Sequence, residues 1–191
     1  MGQLRMIFDA AKYPVPDYAV PGYRITRHGS EARETYLELR RGTGWNDLPN
    51  PEFLHKKVLS EGLIFGEDSA TGKPVASATA EWTDFAEYPQ LAALGQVMCL
   101  EAYRGKKLGL AVSLEAMRVA VERGYRYMSL LTDDYRIPAL KIYLGTGWRP
   151  WLWDVDMPER WRKICVALNY DYDQLAKYDA PPAASAIPSK S

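Results

Sequence analysis

Residues 98–117 read MCLEAYRGKKLGLAVSLEAM, in which an apolar run, a basic turn with two glycines and a helical pattern follow one another directly. The run LAALGQVMCL, which ends inside this stretch, predicts a buried strand because it is almost continuously apolar. A helix is predicted at about 107–123, with an apolar stripe of Leu110, Leu114, Met117 and Val121. The turn therefore joins the end of a buried strand to the start of an amphipathic helix.

This turn predicts a binding site for an anion. The first N–H groups of a helix have no partner within the helix, and the helix dipole adds positive potential at the same end. Gly105 and Gly109 lack the Cβ that would block a close approach. Positive charge comes from Arg104, Lys106 and Lys107. A pyrophosphate would suit this arrangement, although glycines that only permit tight packing and basic residues that are only solvated are the alternative explanation.

With a second motif downstream, the turn resembles the acyl-CoA signature of the GNAT N-acetyltransferase superfamily, Q/R-x-x-G-x-G/A. In this chain the signature runs from Arg104 to Gly109, and Lys107 stands at its first glycine. The family's second motif has an asparagine, an alanine and then a helical tyrosine ahead of Gly-Phe. Here the corresponding stretch is RIPALKIYLGTGW, which has Arg136 at the asparagine position. Its matching residues are Ala139, Tyr143, Gly147 and Trp148.

The resemblance implies that acetyl-CoA is the co-substrate and that its pantetheine arm lies along a splayed strand. By position it assigns cofactor binding to Val97, Met98, Cys99, Arg104, Gly105, Lys106, Lys107, Leu108, Gly109, Leu110 and Arg136. The pyrophosphate is expected over the backbone of residues 105–110, and Arg136 is expected to reach a carbonyl or a phosphate of the cofactor. A backbone N–H of the splayed strand is expected to stabilise the oxyanion of the reaction.

The resemblance also implies that an amine attacks the thioester directly, in a ternary complex, and expels the thiolate of CoA. Tyr143 matches the family tyrosine that protonates the leaving sulfur; the alternative is an aromatic residue of the core. Glu81, at the end of the strand ASATAEW, is the candidate base, and Glu101 is a second candidate. A solvated carboxylate at a strand end would explain either residue. Cys99 is disfavoured as a nucleophile because no histidine lies near it in the sequence.

We therefore predict an acetyl-CoA-dependent N-acetyltransferase that acts on the primary amine of a small molecule. Carboxylates stand beside aromatic residues in EWTDFAEY (81–88) and GWNDL (44–48), which would suit a cationic amine. Solvated loops with an anchoring tryptophan explain those segments as well. Two further alternatives are a protein or peptide N-acetyltransferase and a catalytically silent acyl-CoA-binding module. Whether the chain forms a homodimer is left open.

The composition excludes several other classes of protein. Lysine plus arginine equals aspartate plus glutamate, 24 against 24, which argues against a nucleic-acid-binding protein. Two cysteines cannot build a disulfide framework, and His28 and His55 have no metal-ligand spacing, so no metal is expected. No apolar run approaches the roughly 20 residues that span a bilayer. We expect a cytoplasmic protein without a membrane partner.

The order of the predicted elements indicates an α/β (α+β) fold with a mixed sheet covered on both faces. The resemblance implies a GNAT-like central sheet, mostly antiparallel, of six to seven strands flanked by helices. A first strand is predicted in YRITR (23–27), a helix with Ser30 as its N-cap follows, and a short helix is predicted at 51–60. The predicted organisation is an extended arm at 1–22, a single domain at 23–170 and an extension at 171–191 whose last dozen residues are disordered.

Overall fold

The computed structural model describes residues 2–45, 53–83, 85, 88 and 90–177. These residues fall into two compact units. The larger unit comprises Val15–Thr83 and Ala92–Tyr125, and the smaller unit comprises Met1–Pro14, Asp84–Leu91 and Arg126–Ser191. The predicted disorder at the C-terminus and the loop carboxylates of Asp47, Asp84 and Glu87 lie outside the described residues.

The described residues form seven strands and six α-helices. In chain order the strands are β1 (Leu4–Asp9), β2 (Tyr23–His28), β3 (Val58–Asp68), β4 (Pro74–Trp82), β5 (Leu91–Cys99), β6 (Tyr127–Thr132) and β7 (Arg149–Trp151). The helices are α1 (Arg33–Gly42), α2 (Phe53–Lys56), α3 (Leu108–Glu122), α4 (Ile137–Gly145), α5 (Met157–Leu168) and α6 (Tyr172–Leu175). This confirms the predicted fold class, a seven-stranded mixed sheet flanked by helices.

The larger unit is built on strands β2 to β5, each of which pairs with the next in antiparallel register. Two neighbouring residues of β3 show how its faces are covered. Phe65 packs in one buried cluster with Tyr36 and Leu39 of α1. A Cβ at Gly66 would instead contact Val112 of α3 at 3.3 Å. Because successive strand residues point to opposite faces, α1 and α3 cover opposite faces of this sheet.

The smaller unit is organised around β1, which pairs with β6 on one side and β7 on the other, both antiparallel. Met6 lies opposite Leu130 and opposite Pro150. On the same face, Phe8 packs against Trp148 with ring centroids 5.6 Å apart. Sequence analysis treated residues 1–22 as an extended arm and did not predict that β1 belongs to a sheet. The proline-rich residues 14–22 do lack helix and strand, and the domain boundaries at 23 and 170 stay a prediction.

Three details of the predicted helices are wrong. Ser30 lies in a 3-10 turn (Ser30–Ala32) ahead of α1, and no side chain caps either helix there. The helix predicted at 51–60 ends at Lys56, because Val58 pairs with Glu81 and begins β3. Val121 is 39% exposed and so lies outside the buried stripe of α3. None of the helices that the described residues form is long and apolar enough to cross a bilayer.

The chain reversal after α4 generates a prediction about stability. Gly147 has a φ of +99°, and a Cβ there would stand 2.9 Å from Cγ of Tyr13. Gly147→Ala should therefore lower the free energy of unfolding by more than about 2 kcal/mol, through backbone strain and a steric clash together. Urea denaturation measures this loss.

The matched control is Gly124→Ala, since Gly124 has a φ of +88° but no neighbour within 4 Å of the added carbon. This control should lose only about 1 kcal/mol, the cost of the backbone conformation. Equal losses for the two variants would contradict the contact between residue 147 and Tyr13.

Candidate functional site

Strand β5 contains a bulge at the position where the sequence analysis expected a splayed strand. In its pairing with β4, Thr79 lies opposite Gly95 and Ser77 lies opposite Met98. Gln96 and Val97 together therefore face the single residue Ala78. A bulge leaves one residue without ladder hydrogen bonds, and Gln96 takes up the extra length with a left-handed φ of +49°. The bulge is a place where a backbone N–H can serve a ligand instead of the neighbouring strand.

Glu81 lies directly over this part of β5. Its carboxyl oxygen Oε1 accepts a hydrogen bond from the Thr79 hydroxyl on the same face of β4. A Cβ on Gly95 would stand only 1.9 Å from that oxygen, so the carboxyl occupies the space that the glycine leaves open. The sequence analysis placed Glu81 at a strand end as a candidate base. The structure brings it against the candidate cofactor strand.

Burial of the carboxyl raises the pKa of Glu81 to about 7, against the opposing effects of the Thr79 hydrogen bond and the nearby Lys57. An ordinary glutamate has a pKa near 4.5 and is ionised throughout the neutral range. At neutral pH Glu81 therefore exchanges readily between its protonated and ionised forms. This is the titration behaviour that a group accepting protons near pH 7 requires. Glu101, the other candidate base, is exposed in a 3-10 turn.

The turn between β5 and α3 contains two residues with left-handed backbone, Gly105 at φ +79° and Lys107 at φ +62°. Glycine adopts this conformation freely, whereas an L residue such as lysine does so at a cost of about 1–2 kcal/mol. Lys107 stands where the family signature has a glycine. The backbone here thus follows a path suited to glycine even though the side chain differs.

Helix α3 begins without a side-chain cap and without an acidic residue in its first turn. Its first intrahelical hydrogen bond runs from the N–H of Ala111 to the carbonyl of Lys107, at 3.1 Å. The N–H groups of residues 108–110 precede that bond and point out of the helix end. A Cβ on Gly109 would meet only Cγ1 of Val97, at 3.9 Å, so the protein's own packing does not require a glycine there. An uncapped helix start beside open space fits the diphosphate that the signature implies.

The basic residues of the turn are exposed, and the side chain of Lys106 is held in place. Its Nζ donates a hydrogen bond to the Tyr23 hydroxyl at 2.9 Å and lies 5.0 Å from the centre of the Tyr103 ring. The two tyrosine rings meet edge to face, 6.2 Å apart. The hydrogen bond to Tyr23 raises the pKa of Lys106, which keeps its positive charge beside the turn.

The other predicted cofactor residues of the larger unit differ in their exposure. Leu108 and Met98 are buried, and Met98 belongs to the cluster packed under α1, so neither side chain faces a ligand. Val97 and Leu110 are half-buried. Cys99 is also half-buried, and burial raises the pKa of its thiol despite Arg104 and Lys106 nearby. A thiol of this kind stays protonated, in agreement with the low rank given to Cys99 as a nucleophile.

Tyr143 and Arg136 lie at opposite ends of α4 in the smaller unit. Tyr143 is buried beside Trp148, with ring centroids 6.1 Å apart, and burial raises the pKa of its phenol to about 12. The phenol is therefore a hydrogen-bond donor at any physiological pH. Arg136 forms an ion pair with Asp133 at 3.0 Å, and its charge acts against the rise in the Tyr143 pKa. Trp148, the last matching residue of the second motif, is fully buried.

The sequence analysis missed a polar cluster beneath the bulge. The side-chain oxygen of Gln96 accepts hydrogen bonds from the Arg40 guanidinium at 2.8 Å and from the Tyr36 hydroxyl at 3.1 Å. The sequence signal for the bulge was the pair Gly95-Gln96 inside a strand that is otherwise apolar. Among the described residues, no group of three or more potential ligand side chains could hold a metal ion.

Comparisons with known proteins agree with this geometry. A family model described as the Acetyltransferase (GNAT) family matches residues 30–148, more than half of the chain. No curated protein matches the sequence.

Similar solved structures include a GCN5-related N-acetyltransferase from Sphaerobacter thermophilus, with a TM-score of 0.58 and 18% identity over 79% of this chain and 50% of that one. A GNAT-family acetyltransferase from Colwellia psychrerythraea has a TM-score of 0.60 and 14% identity over 78% and 53% of the two chains. The diaminobutyrate acetyltransferase EctA from Paenibacillus lautus has a TM-score of 0.50 and 18% identity, over 66% of this chain and 75% of that one. At these identities the likeness concerns the fold, and the chain spans about half the length of the first two structures.

The raised pKa of Glu81 generates a prediction about stability and pH. Because the folded protein holds this proton more tightly than the unfolded chain, the contribution of Glu81 to stability is complete below about pH 4.5 and is lost as pH rises through about 7. Glu81→Gln removes that loss. Relative to wild type, the variant should gain up to about 3 kcal/mol of unfolding free energy between pH 5 and pH 8, measured by urea denaturation at both values.

Glu101→Gln, which removes an exposed carboxyl, serves as the control and should follow wild type across the same range. Parallel pH profiles for wild type and Glu81→Gln would show that the carboxyl of Glu81 is not buried over Gly95.

Proposed function

Because the chain belongs to the GNAT acetyltransferase family, we propose that it transfers the acetyl group of acetyl-CoA to the primary amine of a small molecule. The amine attacks directly, within a ternary complex. The observation that carries this proposal is the course of β5, which passes under the Glu81 carboxyl at Gly95, bulges at Gln96 and leads into the uncapped start of α3. Along the course of β5 the chain thus passes a proton acceptor held by β4, bulges, and leads to an anion site at the start of α3.

Acetyl-CoA binding is supported by the turn after β5. The N–H groups of residues 108–110 would hold the diphosphate, because they precede the hydrogen-bond ladder of α3 and share the positive end of its dipole. Arg104, Lys106 and Lys107 would add positive charge around it. The left-handed backbone at Lys107 supports this site, since the chain there keeps the path that the signature glycine permits.

Glu81 is proposed as the base. An alkylammonium ion has a pKa near 10, so the attacking amine must first lose a proton. A carboxylate whose pKa is about 7 accepts that proton at neutral pH better than an ordinary glutamate would. The free amine then attacks the carbonyl carbon, and the carbonyl oxygen becomes an oxyanion. The bulge offers a backbone N–H that would stabilise the oxyanion.

Tyr143 is proposed as the donor to the leaving group. When the tetrahedral intermediate collapses, the carbon–sulfur bond breaks and the sulfur leaves with the electron pair. A protonated phenol can donate a hydrogen bond or its proton to this thiolate, and the phenol regains a proton from the nitrogen of the new amide through water. The pKa of about 12 keeps Tyr143 protonated, so the phenol is available to the thiolate chiefly as a hydrogen-bond donor.

The choice of a small acceptor is supported by the position of Glu81. Glu81 is half-buried with its carboxyl against β5 at Gly95, so it is accessible to a slender alkylamine more easily than to a folded protein surface. The diaminobutyrate acetyltransferase with the same fold is complexed with L-2,4-diaminobutyric acid and coenzyme A. Small amino acids with a second amino group are accordingly the first acceptors to test.

Two measurements test the proposal. Titration calorimetry with acetyl-CoA measures binding, and release of free thiol during incubation with a panel of small amines, diamino acids and peptides measures transfer. We expect acetyl-CoA to bind and at least one small amine to be turned over faster than every peptide. Faster turnover of a peptide would favour a protein acetyltransferase, binding without turnover would favour a silent acyl-CoA module, and absence of binding would refute the proposal.

The diphosphate site predicts the effect of a charge at residue 109. Gly109→Glu places a carboxylate at the start of α3 and should weaken acetyl-CoA binding about tenfold or more, through repulsion of the phosphates. Gly109→Ala is the matched control because the free protein has room for its Cβ, and the family signature also accepts alanine there. Titration calorimetry measures the Kd for acetyl-CoA of both variants. An unchanged Kd in Gly109→Glu would mean that the diphosphate binds elsewhere.

The proposed donor predicts a loss of turnover without a loss of binding. Tyr143→Phe removes only the hydroxyl and should lower kcat about 100-fold while the Kd for acetyl-CoA changes little. Thiol release at saturating substrate measures the first quantity and calorimetry the second. Tyr172→Phe, which makes the same substitution in the short helix α6 and has no proposed role in the reaction, is the control and should keep the kcat of wild type. A kcat equal to that of wild type in Tyr143→Phe would remove Tyr143 from the mechanism.

A further inference from the structure

The bulge in β5 has an unfavourable backbone conformation that its own strand does not explain. Gln96 adopts a φ of +49°, which L residues rarely take. Two of its neighbours are small: Gly95 precedes it and Ala78 lies opposite on β4. Neither offers a large side chain that would lock the bulge by packing, and Ser77 contributes only a long hydrogen bond to the Gln96 carbonyl, at 3.4 Å. Support for this conformation comes from closer contacts made by the Gln96 side chain with another part of the chain.

Helix α1 supplies that support through two side chains one turn apart. The guanidinium of Arg40 and the hydroxyl of Tyr36 both donate hydrogen bonds to the side-chain oxygen of Gln96, and Arg40 also donates to Tyr36 at 3.3 Å. Tyr36 is fully buried and Arg40 is 4% exposed. The guanidinium also lies over the Trp45 ring, 4.8 Å from its centre. Donors this deeply buried have little freedom to leave the acceptor that they share.

We propose that Tyr36 and Arg40 are positioning residues, which hold the bulge of β5 in its reactive geometry through the side chain of Gln96. This inference rests on the proposed function for its catalytic consequence, because the bulge supplies the oxyanion donor beside Glu81. The two residues do not touch the reacting atoms. They fix the backbone at residues 96 and 97, and an oxyanion donor is effective only when its position is set before the reaction.

The test uses variants that separate two effects: loss of the hydrogen bonds from α1 to residue 96, and relief of the unfavourable φ at that residue. Gln96→Ala removes the acceptor and keeps the unfavourable φ, whereas Gln96→Gly removes the acceptor and the strain together. Gln96→Glu keeps an oxygen within reach of both donors. Arg40→Met and Tyr36→Phe remove the donors one at a time. Arg41→Met, at the exposed neighbouring position of α1, is the control for Arg40→Met.

We expect Gln96→Ala and Arg40→Met each to lower kcat about 10- to 100-fold and to weaken acetyl-CoA binding much less, because the diphosphate is held at the turn before α3 and only the pantetheine arm runs along β5. The kcat of Gln96→Glu should be close to that of wild type, and the kcat of Gln96→Gly should lie between the values for Gln96→Ala and wild type. The double variant Gln96→Ala/Arg40→Met should be no slower than the worse single variant, because Arg40 acts through Gln96. Fully additive losses would overturn the proposal.

A second readout does not depend on acetyl transfer. Amide hydrogen exchange at residues 95–98, followed by NMR on the full chain, should accelerate about tenfold in Gln96→Ala and Arg40→Met but not in Arg41→Met. Unchanged exchange in the first two variants would refute the proposal that α1 holds the bulge, even if the activity of these variants fell. If wild type neither binds acetyl-CoA nor releases thiol, the proposed function fails, and the exchange data still decide whether α1 holds the bulge.

Discussion

The arrangement of the larger unit depends on the bulge in β5, where Gln96 and Val97 together lie opposite the single residue Ala78 of β4. Side chains alternate between the faces of a strand, so Gly95 and Met98, three positions apart, would point to opposite faces of a regular strand. The extra residue returns both to the same face, opposite Thr79 and Ser77 of β4. Gly95 can then lie under the Glu81 carboxyl while Met98 packs in the cluster beneath α1. One bulge thus serves the candidate site and the core at once.

The charges around the candidate site are local, and the net charge of the whole chain does not reveal them. The 24 acidic and 24 basic residues cancel, yet Arg104, Lys106 and Lys107 surround one helix start that has no acidic residue in its first turn. Burial acts in the same sense on Glu81 and Tyr143, since it favours the neutral form of each and raises both pKa values. For the glutamate this brings the pKa to about 7, where it can accept a proton, and for the tyrosine it prevents ionisation.

Much of the fold and of the anion site could be predicted because the signals were local. The apolar run of β5, the amphipathic pattern of α3 and the glycine-containing turn between them lie within about thirty consecutive residues. The conformations of Lys107 and Gln96 could not be predicted, since neither residue type favours a positive φ and tertiary contacts impose it. The Gln96 cluster was also missed because Tyr36 and Arg40 lie about sixty residues away in the sequence. Ser30 shows the limit of local signals, since a residue suited to capping sits in a 3-10 turn instead.

The position of β1 has a consequence for the order in which the protein matures. Leu4–Asp9 forms the middle strand between β6 and β7, whose residues are more than 115 positions later. A nascent chain leaving the ribosome thus exposes the apolar stretch LRMIFD long before either neighbouring strand has been synthesised. The smaller unit can complete its sheet only after residue 151 has emerged. Such distant pairing slows folding, and it leaves the stretch LRMIFD open to aggregation until its neighbouring strands have been made.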